Sequence, residues 1–364
     1  MSLHVNISLQ RPSGFELDVD IHIPNRGYTA IYGASGSGKT TLLRCIAGLE
    51  SAGAKDSIIF NHDVWHNQSQ TLPCHQRGIG FVFQDARLMP HLDVSGNLKY
   101  ALDRRHGNCG PNWDQVSQWL NLAPLLEKNV SQLSAGQQQR VAIGRALLSA
   151  PQLLIMDEPL ASLDEISKNE ILSSLEALHY HLDIPVLYVS HDLAEVTQLA
   201  DQLIILEQGN VVSEGRTLEL CSQLQLGVAH EEQAAAILVG TVKAHDDLYA
   251  LSEIDIDGET LTLAKVDIPL GENIRVRIPA RDVSIALNRS EQSSILNIIP
   301  CRIDAIEPST EARILIRLQT GNQFFLSRLT RKSVEKLALS VGDQVFAQIK
   351  SVALLSDRQA DDHV

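Results

Sequence analysis

Residues 33–40 read Gly33-Ala34-Ser35-Gly36-Ser37-Gly38-Lys39-Thr40, and this stretch decides the fold. It fits the pattern GxxxxGK[ST], in which glycines let backbone amides turn inward around a phosphate and the following helix start adds partial positive charge. The surroundings agree with it. The apolar run Thr29-Ala30-Ile31-Tyr32 precedes it as a predicted strand, and Thr41-Leu42-Leu43-Arg44-Cys45-Ile46-Ala47 follows as a predicted helix closed by Gly48. Lys39 is expected to meet the β and γ phosphates, and the Thr40 hydroxyl to coordinate Mg2+. A flexible linker has no reason to place Lys-Thr-Thr directly before an apolar helix, so the expected ligand is a nucleoside triphosphate bound by residues 33–41.

Working outward, Leu153-Leu154-Ile155-Met156-Asp157-Glu158-Pro159 reads as a buried strand with two carboxylates at its end. Asp157 can hold the metal and Glu158 can take a proton from an attacking water. Further strands are predicted at 185–189 and 202–206, with helices at 137–148 and 166–179. Strands alternating with helices point to a parallel sheet covered on both faces. After about residue 235 the texture changes to short alternating strands at 239–244, 261–264, 274–278, 314–318 and 345–349, as in a small β barrel or sandwich. There, Gly271-Glu-Asn-Ile-Arg-Val-Arg-Ile followed by Val283-Ser-Ile-Ala-Leu is echoed by Gly342-Asp-Gln-Val-Phe-Ala-Gln-Ile followed by Val352-Ala-Leu-Leu. Two copies of one β unit and a chance likeness of amphipathic strands both explain the echo.

Leu133-Ser134-Ala135-Gly136-Gln137-Gln138-Gln139-Arg140 completes a set of motifs that resembles the ATP-binding-cassette (ABC) family, whose signature is usually LSGGQ. Phe81-Val82-Phe83-Gln84-Asp85, Ala161-Ser162-Leu163-Asp164 and Val189-Ser190-His191-Asp192 extend it in the family's order. The resemblance implies an α/β fold, a P-loop NTPase with a helical subdomain, and ATP with Mg2+ as cofactors. Ser134, Gly136 and Gln137 would contact ATP held by a second copy of the chain, and Asp164 would be a further nucleotide-binding residue. Gln84 would touch metal and water and link the site to a membrane partner, and His191 would contact the γ-phosphate and hold Glu158. Phe15 occupies the place of the family's adenine-stacking aromatic, although an isolated aromatic equally suits a core. Met89-Pro90-His91-Leu92 resembles the segment that grips a permease. One departure is Ala135, in place of the usual Gly. Its methyl lies beside the transferred phosphate and would cost on the order of 1 kcal/mol if a positive φ is required there, so an altered turnover is expected.

The tail resembles small molybdate-binding domains of the Mop or TOBE type, all-β and OB-like. By that resemblance Ser293, Ser294, Asn297, Lys350 and Ser351 would enclose an oxyanion, whereas spacing alone makes Lys350 a rim charge on an amphipathic strand. The whole chain then resembles the ATP-binding subunits of bacterial molybdate importers. This implies a homodimer on the cytoplasmic face of the inner membrane, bound to two permease subunits and served by a periplasmic binding protein, with molybdate as a regulatory ligand of the tail. The expected domains are 1–231 for the ATPase, 232–291 for a β-rich connecting segment and 292–358 for the oxyanion domain. Alternatives are the same role with sulfate, thiosulfate, polyamine or sugar as cargo, or a soluble ABC ATPase without transport.

Composition bounds these readings. A chain of 364 residues with 44% hydrophobic and 20% charged residues can bury a real core in two or three domains, and its net charge of −14 argues against a nucleic-acid partner. No run approaches the apolar length of a membrane span, and the first residues lack the pattern of a secretory leader. The five cysteines, Cys45, Cys74, Cys109, Cys221 and Cys301, are scattered and fit reduced thiols. His62 and His66 fit a solvated turn better than a metal site.

Overall fold

The computed structural model describes residues 3–11, 14–53, 55–105, 110–290, 292–350 and 352–355. The chain divides into two compact units, Met1–Arg216 and Thr217–Val364.

The first unit is built on a ten-stranded sheet. Its centre is parallel: Gly27–Tyr32 lies between Gln202–Glu207 and Pro185–Ser190, followed by Leu153–Asp157 and Ile79–Val82. Every residue of Leu153–Asp157 and Pro185–Ser190 is buried, because helices cover both faces of these strands. Successive residues of one strand serve opposite cores. Leu154 and Met156 pack with the helices Val94–Leu102, Trp113–Trp119 and Ala135–Leu148, while Leu153 and Ile155 pack with the helix Lys39–Ala47.

The parallel sheet expected from the alternating strands and helices is this half of the sheet, and the other half is antiparallel. Asn210–Arg216 runs antiparallel to Gln202–Glu207, and Leu3–Gln10, Glu16–Ile23, Ser57–Phe60 and Asp63–His66 form an antiparallel flank. Glu16–Ile23 shows why: Leu17, Val19, Ile21 and Ile23 are buried and alternate with exposed Glu16, Asp18, Asp20 and His22. Such a strand has one dry face, which a hairpin supplies and a βαβ unit does not. The phosphate-loop helix is anchored from this flank. Arg77 Nη1 donates to the carbonyls of Cys45 and Ile46 at 2.9 and 2.6 Å, satisfying orphan groups at the helix end. Gly48 is left-handed at φ 70, and a Cβ there would lie 2.8 Å from that guanidinium.

The second unit opens with two short helices, Thr217–Leu220 and Gly227–His230, and continues as two five-stranded antiparallel sheets around one core. One sheet runs Glu259–Ala264, Leu251–Ile256, Ala235–Asp246, Asn273–Pro279, Ala353–Leu355. The other runs Gln323–Thr330, Arg313–Thr320, Asn297–Pro308, Gln344–Ile349, Val283–Ala286. The orders match strand for strand. Both twelve-residue strands carry a register shift near the same place, at Val242/Ala244 and Ile303/Ala305. The fifth strand of each sheet comes from the other repeat: Ala353–Leu355 pairs with Asn273–Pro279, and Val283–Ala286 pairs with Gln344–Ile349. The echoed sequences are therefore two copies of one β unit with exchanged last strands. Among the described residues no helix is long and apolar enough to cross a membrane.

Candidate active site

The buried strand Gly27–Tyr32 delivers the chain into the glycine loop and then into the helix Lys39–Ala47. Two glycines there are obligatory. A Cβ at Gly33 would lie 2.2 Å from the Leu206 carbonyl oxygen, and Gly38, at φ 107, would place one 2.9 Å from the ring of Phe15. Lys39 is buried, and its Nζ donates to the carbonyls of Gly33 and Ala34 at 2.7 and 3.0 Å. Burial pushes the ammonium's pKa down, and Glu158, 3.7 Å away, acts against that shift. Ser37 is buried too, yet its hydroxyl has no partner among the described residues. Buried hydroxyls are normally paired, so this one is free to donate to an incoming oxyanion.

A cleft of about 510 Å³ opens over this loop, lined by Phe15, Ser35, Gly36, Gly38, Lys39, Thr40, Thr41, Gln84, Glu158 and Arg11. Arg11 escapes sequence reasoning because it belongs to no motif; its nearness to Phe15 in the chain is its one signal. Thr40 Oγ1 donates to Asp157 Oδ1 at 3.1 Å. Burial raises the Asp157 carboxyl pKa, and the Thr40 bond opposes that rise. Glu158 leaves the strand end at φ 46, a rare conformation for a residue with a side chain, and its N–H donates to the Val189 carbonyl at 3.0 Å. His191 Nδ1 lies 3.1 Å from Glu158 Oε2. One carboxylate thus stands between the phosphate-loop lysine and a half-exposed imidazole.

Buried and partly buried polar groups fix the chain on both sides of His191. Lys168 Nζ donates to Asp192 and, at 2.7 Å, to Glu195, whose other oxygen accepts from the hydroxyls of Tyr188 and Ser190, both at 2.7 Å. Burial alone would lower the Lys168 pKa, but its bonds to Asp192 and Glu195 hold it above the ordinary lysine value. The chain on both sides of Gln84 is fixed from the helix Ala135–Leu148, where Gln139 donates to the Phe83 carbonyl and Arg145 to those of Ala86 and Arg87. Buried Asn97 pins the Met89-Pro90-His91-Leu92 segment by accepting from the Met89 N–H at 2.8 Å.

The signature residues lie elsewhere. Ser134 caps the helix Ala135–Leu148 in a reciprocal box with Gln137, and Asp164 caps Glu165–His181 through the N–H groups of Ile166 and Ser167. None of Ser134, Gly136, Gln137 and Asp164 lines the cleft. Gly136 is sterically required, since a Cβ there would meet Ser167 Cβ at 2.7 Å. Ala135 is not. It is exposed, it opens the helix, and it is absent from the positive-φ residues, so the conformational penalty expected for it does not arise.

In the tail, Ser293, Ser294 and Lys350 are exposed, and Ser293 Oγ accepts from the Ile295 N–H. Asn297 is buried, with its amide bonded to the Thr262 N–H at 2.6 Å and the Thr262 carbonyl at 2.8 Å. Ser351 lies outside the described residues, as does Cys109.

Residues 17–161 match the ABC transporter family and residues 293–355 the TOBE domain. A molybdenum import ATP-binding protein of Methylococcus capsulatus is 45% identical over 97% of this chain and 99% of its own length. Among solved structures, cbiO1 from Clostridium perfringens, described as part of an ABC transporter complex, superposes with TM-score 0.53 at 26% identity, covering 61% of this chain and 90% of that one. A dimeric ATP-binding cassette in a post-hydrolysis state with ADP and Pi gives TM-score 0.50 at 26% identity, covering 59% and 98%.

Proposed function

Because this chain belongs to the ABC transporter family, and within it to the molybdenum import ATP-binding proteins, we propose that it hydrolyses ATP to power molybdate import through a membrane permease. The observation that carries the hydrolytic part is the Lys39–Glu158–His191 chain, with contacts of 3.7 and 3.1 Å. Loop amides, the Lys39 ammonium and the Ser37 hydroxyl would hold the β and γ phosphates, with Phe15 against the base. Glu158 would accept a proton from the attacking water, and His191 would fix the orientation of that carboxylate.

The Thr40 hydroxyl, the Asp157 carboxylate and the Gln84 amide form a hard-oxygen donor set that suits Mg2+. When bound, Mg2+ neutralises charge developing on the phosphates. The capped helix start at Ser134, which does not line its own cleft, would meet the phosphates of a second copy, giving a homodimer with two ATP molecules between the chains. Two permease subunits would sit on the Met89–Leu92 segments at the cytoplasmic face of the inner membrane, fed by a periplasmic binding protein. The tail would bind molybdate as a regulatory signal at Ser293, Ser294, Lys350 and Ser351, with Asn297, whose amide is committed to Thr262, holding the strand beneath them.

The test is hydrolysis by the assembled transporter in proteoliposomes. Molybdate-loaded binding protein is expected to stimulate it and sulfate-loaded protein is not; equal stimulation by sulfate would overturn the cargo assignment.

A further inference from the structure

The outer face of the hairpin formed by Leu3–Gln10 and Glu16–Ile23 carries chemistry that ATP hydrolysis leaves unused. The register sets His4 opposite His22 and Asn6 opposite Asp20. Asp20 is therefore the diagonal neighbour of His4 on the same face, within reach of a long side chain. His4 Nε2 lies 2.7 Å from Asp20 Oδ1, and the imidazoles of His4 and His22 stack at 4.1 Å with an interplanar angle of 12°. One ligand atom from each of the three residues lies within 4.8 Å of the others. Buried Leu3, Val5, Ile21 and Ile23 alternate with them and hold the backbone, so all three side chains are forced outward together.

We propose that His4, Asp20 and His22 form a binding site for a first-row transition metal ion, with Zn2+ as the occupant. Two imidazole nitrogens and one carboxylate oxygen favour Zn2+ and its neighbours over Mg2+ or Ca2+, which prefer oxygen alone. With metal–ligand distances of about 2.0–2.2 Å, neighbouring donors of a tetrahedral site stand about 3.3 Å apart. The triad closes to that spacing by side-chain rotation, on a strand paired with Ser57–Phe60 along its other edge. The fourth position faces solvent and takes water. Bound metal staples the two strands whose connecting turn carries Arg11 and Phe15, so the site acts on the stability of the hairpin and takes no part in hydrolysis.

Chelator-stripped full-length protein is titrated with Zn2+ by calorimetry, in the absence of nucleotide, beside His4→Ala, His22→Ala and Asp20→Asn. Wild type is expected to bind one Zn2+ per chain at micromolar concentration, and each variant to weaken this roughly tenfold or more. Co2+ in place of Zn2+ should give the strong visible absorption of a four-coordinate site in wild type, and that absorption should disappear in His4→Ala/His22→Ala. Melting of the metal-free variants checks that they fold, and their Mg2+-dependent ATP hydrolysis should equal that of wild type. No binding by wild type in the micromolar range, or wild-type affinity in any of the three variants, overturns the site.

Discussion

The two units use their polar side chains in opposite ways. In the first, the side chains of Lys39, Asp157, Glu158 and Gln84 stand at the carboxyl ends of parallel strands or on the loops and helix start beyond them. Among the described residues Ser37 keeps an unpartnered hydroxyl, and Glu158 has a left-handed backbone. In the second, several polar side chains are committed to backbone and hydroxyl partners, while Thr217 Oγ1 and Arg328 Nε are buried without a hydrogen-bond partner among the described residues. Asn297 bonds both backbone groups of Thr262, Gln323 bonds both of Val239 at 2.7 and 2.8 Å, and His245 bonds Ser252 Oγ and the Ile268 carbonyl. Ser37 and Glu158 stand at the phosphate loop with a free hydroxyl and a rare backbone conformation, while Asn297, Gln323 and His245 spend their hydrogen bonds on joining strands. If this contrast is real, substitutions in the first unit should cost turnover and those in the second should cost stability.

The largest effect should come from Glu158→Gln. The amide keeps the shape and removes the base, so turnover should fall by about 10²–10⁴ while ATP binding persists, read by steady-state hydrolysis beside nucleotide titration. A fall below tenfold would mean that the carboxylate is not the base.

Lys168→Met is the exception that sharpens the comparison, because it removes a saturated group inside the first unit. Asp192 and Glu195 would keep their charges and their neutral hydrogen-bond donors but lose the ammonium between them, at 20% and 5% exposure. The expected loss is about 3–5 kcal/mol of stability, seen as a lower urea midpoint. The pH dependence has a defined sign. The folded pKa of Lys168 is raised, so its contribution is complete below the ordinary value of 10.5 and is lost as pH rises through the higher folded value. Wild type should therefore lose stability in that alkaline window, and Lys168→Met should lack this part of the loss.

Asn297→Ala tests the second unit. Two backbone groups of Thr262 lose their partner, which should cost about 1–3 kcal/mol with hydrolysis unchanged. Because that amide is already committed, molybdate binding measured by calorimetry should survive Asn297→Ala and weaken in Lys350→Ala, whose side chain is exposed. The reverse pattern would show that the amide leaves Thr262 to meet the anion.

How much of this was legible in the sequence follows the same division. Lys39, Thr40, Asp157 and Glu158 sit in short contiguous motifs, and the strands beneath them are uninterrupted apolar runs, so local reading reaches them. The alternation of Leu17, Val19, Ile21 and Ile23 is equally visible, but it does not say which strand it joins; register and sheet order are set by distant partners. Arg77 is beyond local reading for that reason, since it completes a helix end about thirty positions earlier in the chain. The repeat in the tail can be seen in the sequence, whereas the exchange of Ala353–Leu355 and Val283–Ala286 cannot: a three- or four-residue strand fits either edge equally well.

Ala135 and its neighbour give the finest test, because one motif holds both kinds of position. From sequence, the methyl of Ala135 is the departure and the expected source of altered turnover. In the fold, Ala135 is an exposed first residue of the helix Ala135–Leu148 with an ordinary negative φ, so the family's usual glycine serves no conformational need there. Gly136 is the constrained one, 2.7 Å from Ser167 for any added Cβ. Gly136→Ala must push the two capped helices apart and should cost about 1–3 kcal/mol, with turnover falling alongside. Ala135→Gly loses only helix propensity at the first helical position, no more than about 1 kcal/mol, and its turnover should stay within roughly twofold of wild type. A larger rise in turnover for Ala135→Gly would mean that the methyl crowds the phosphate of the facing copy, a contact made across the dimer and not within the chain.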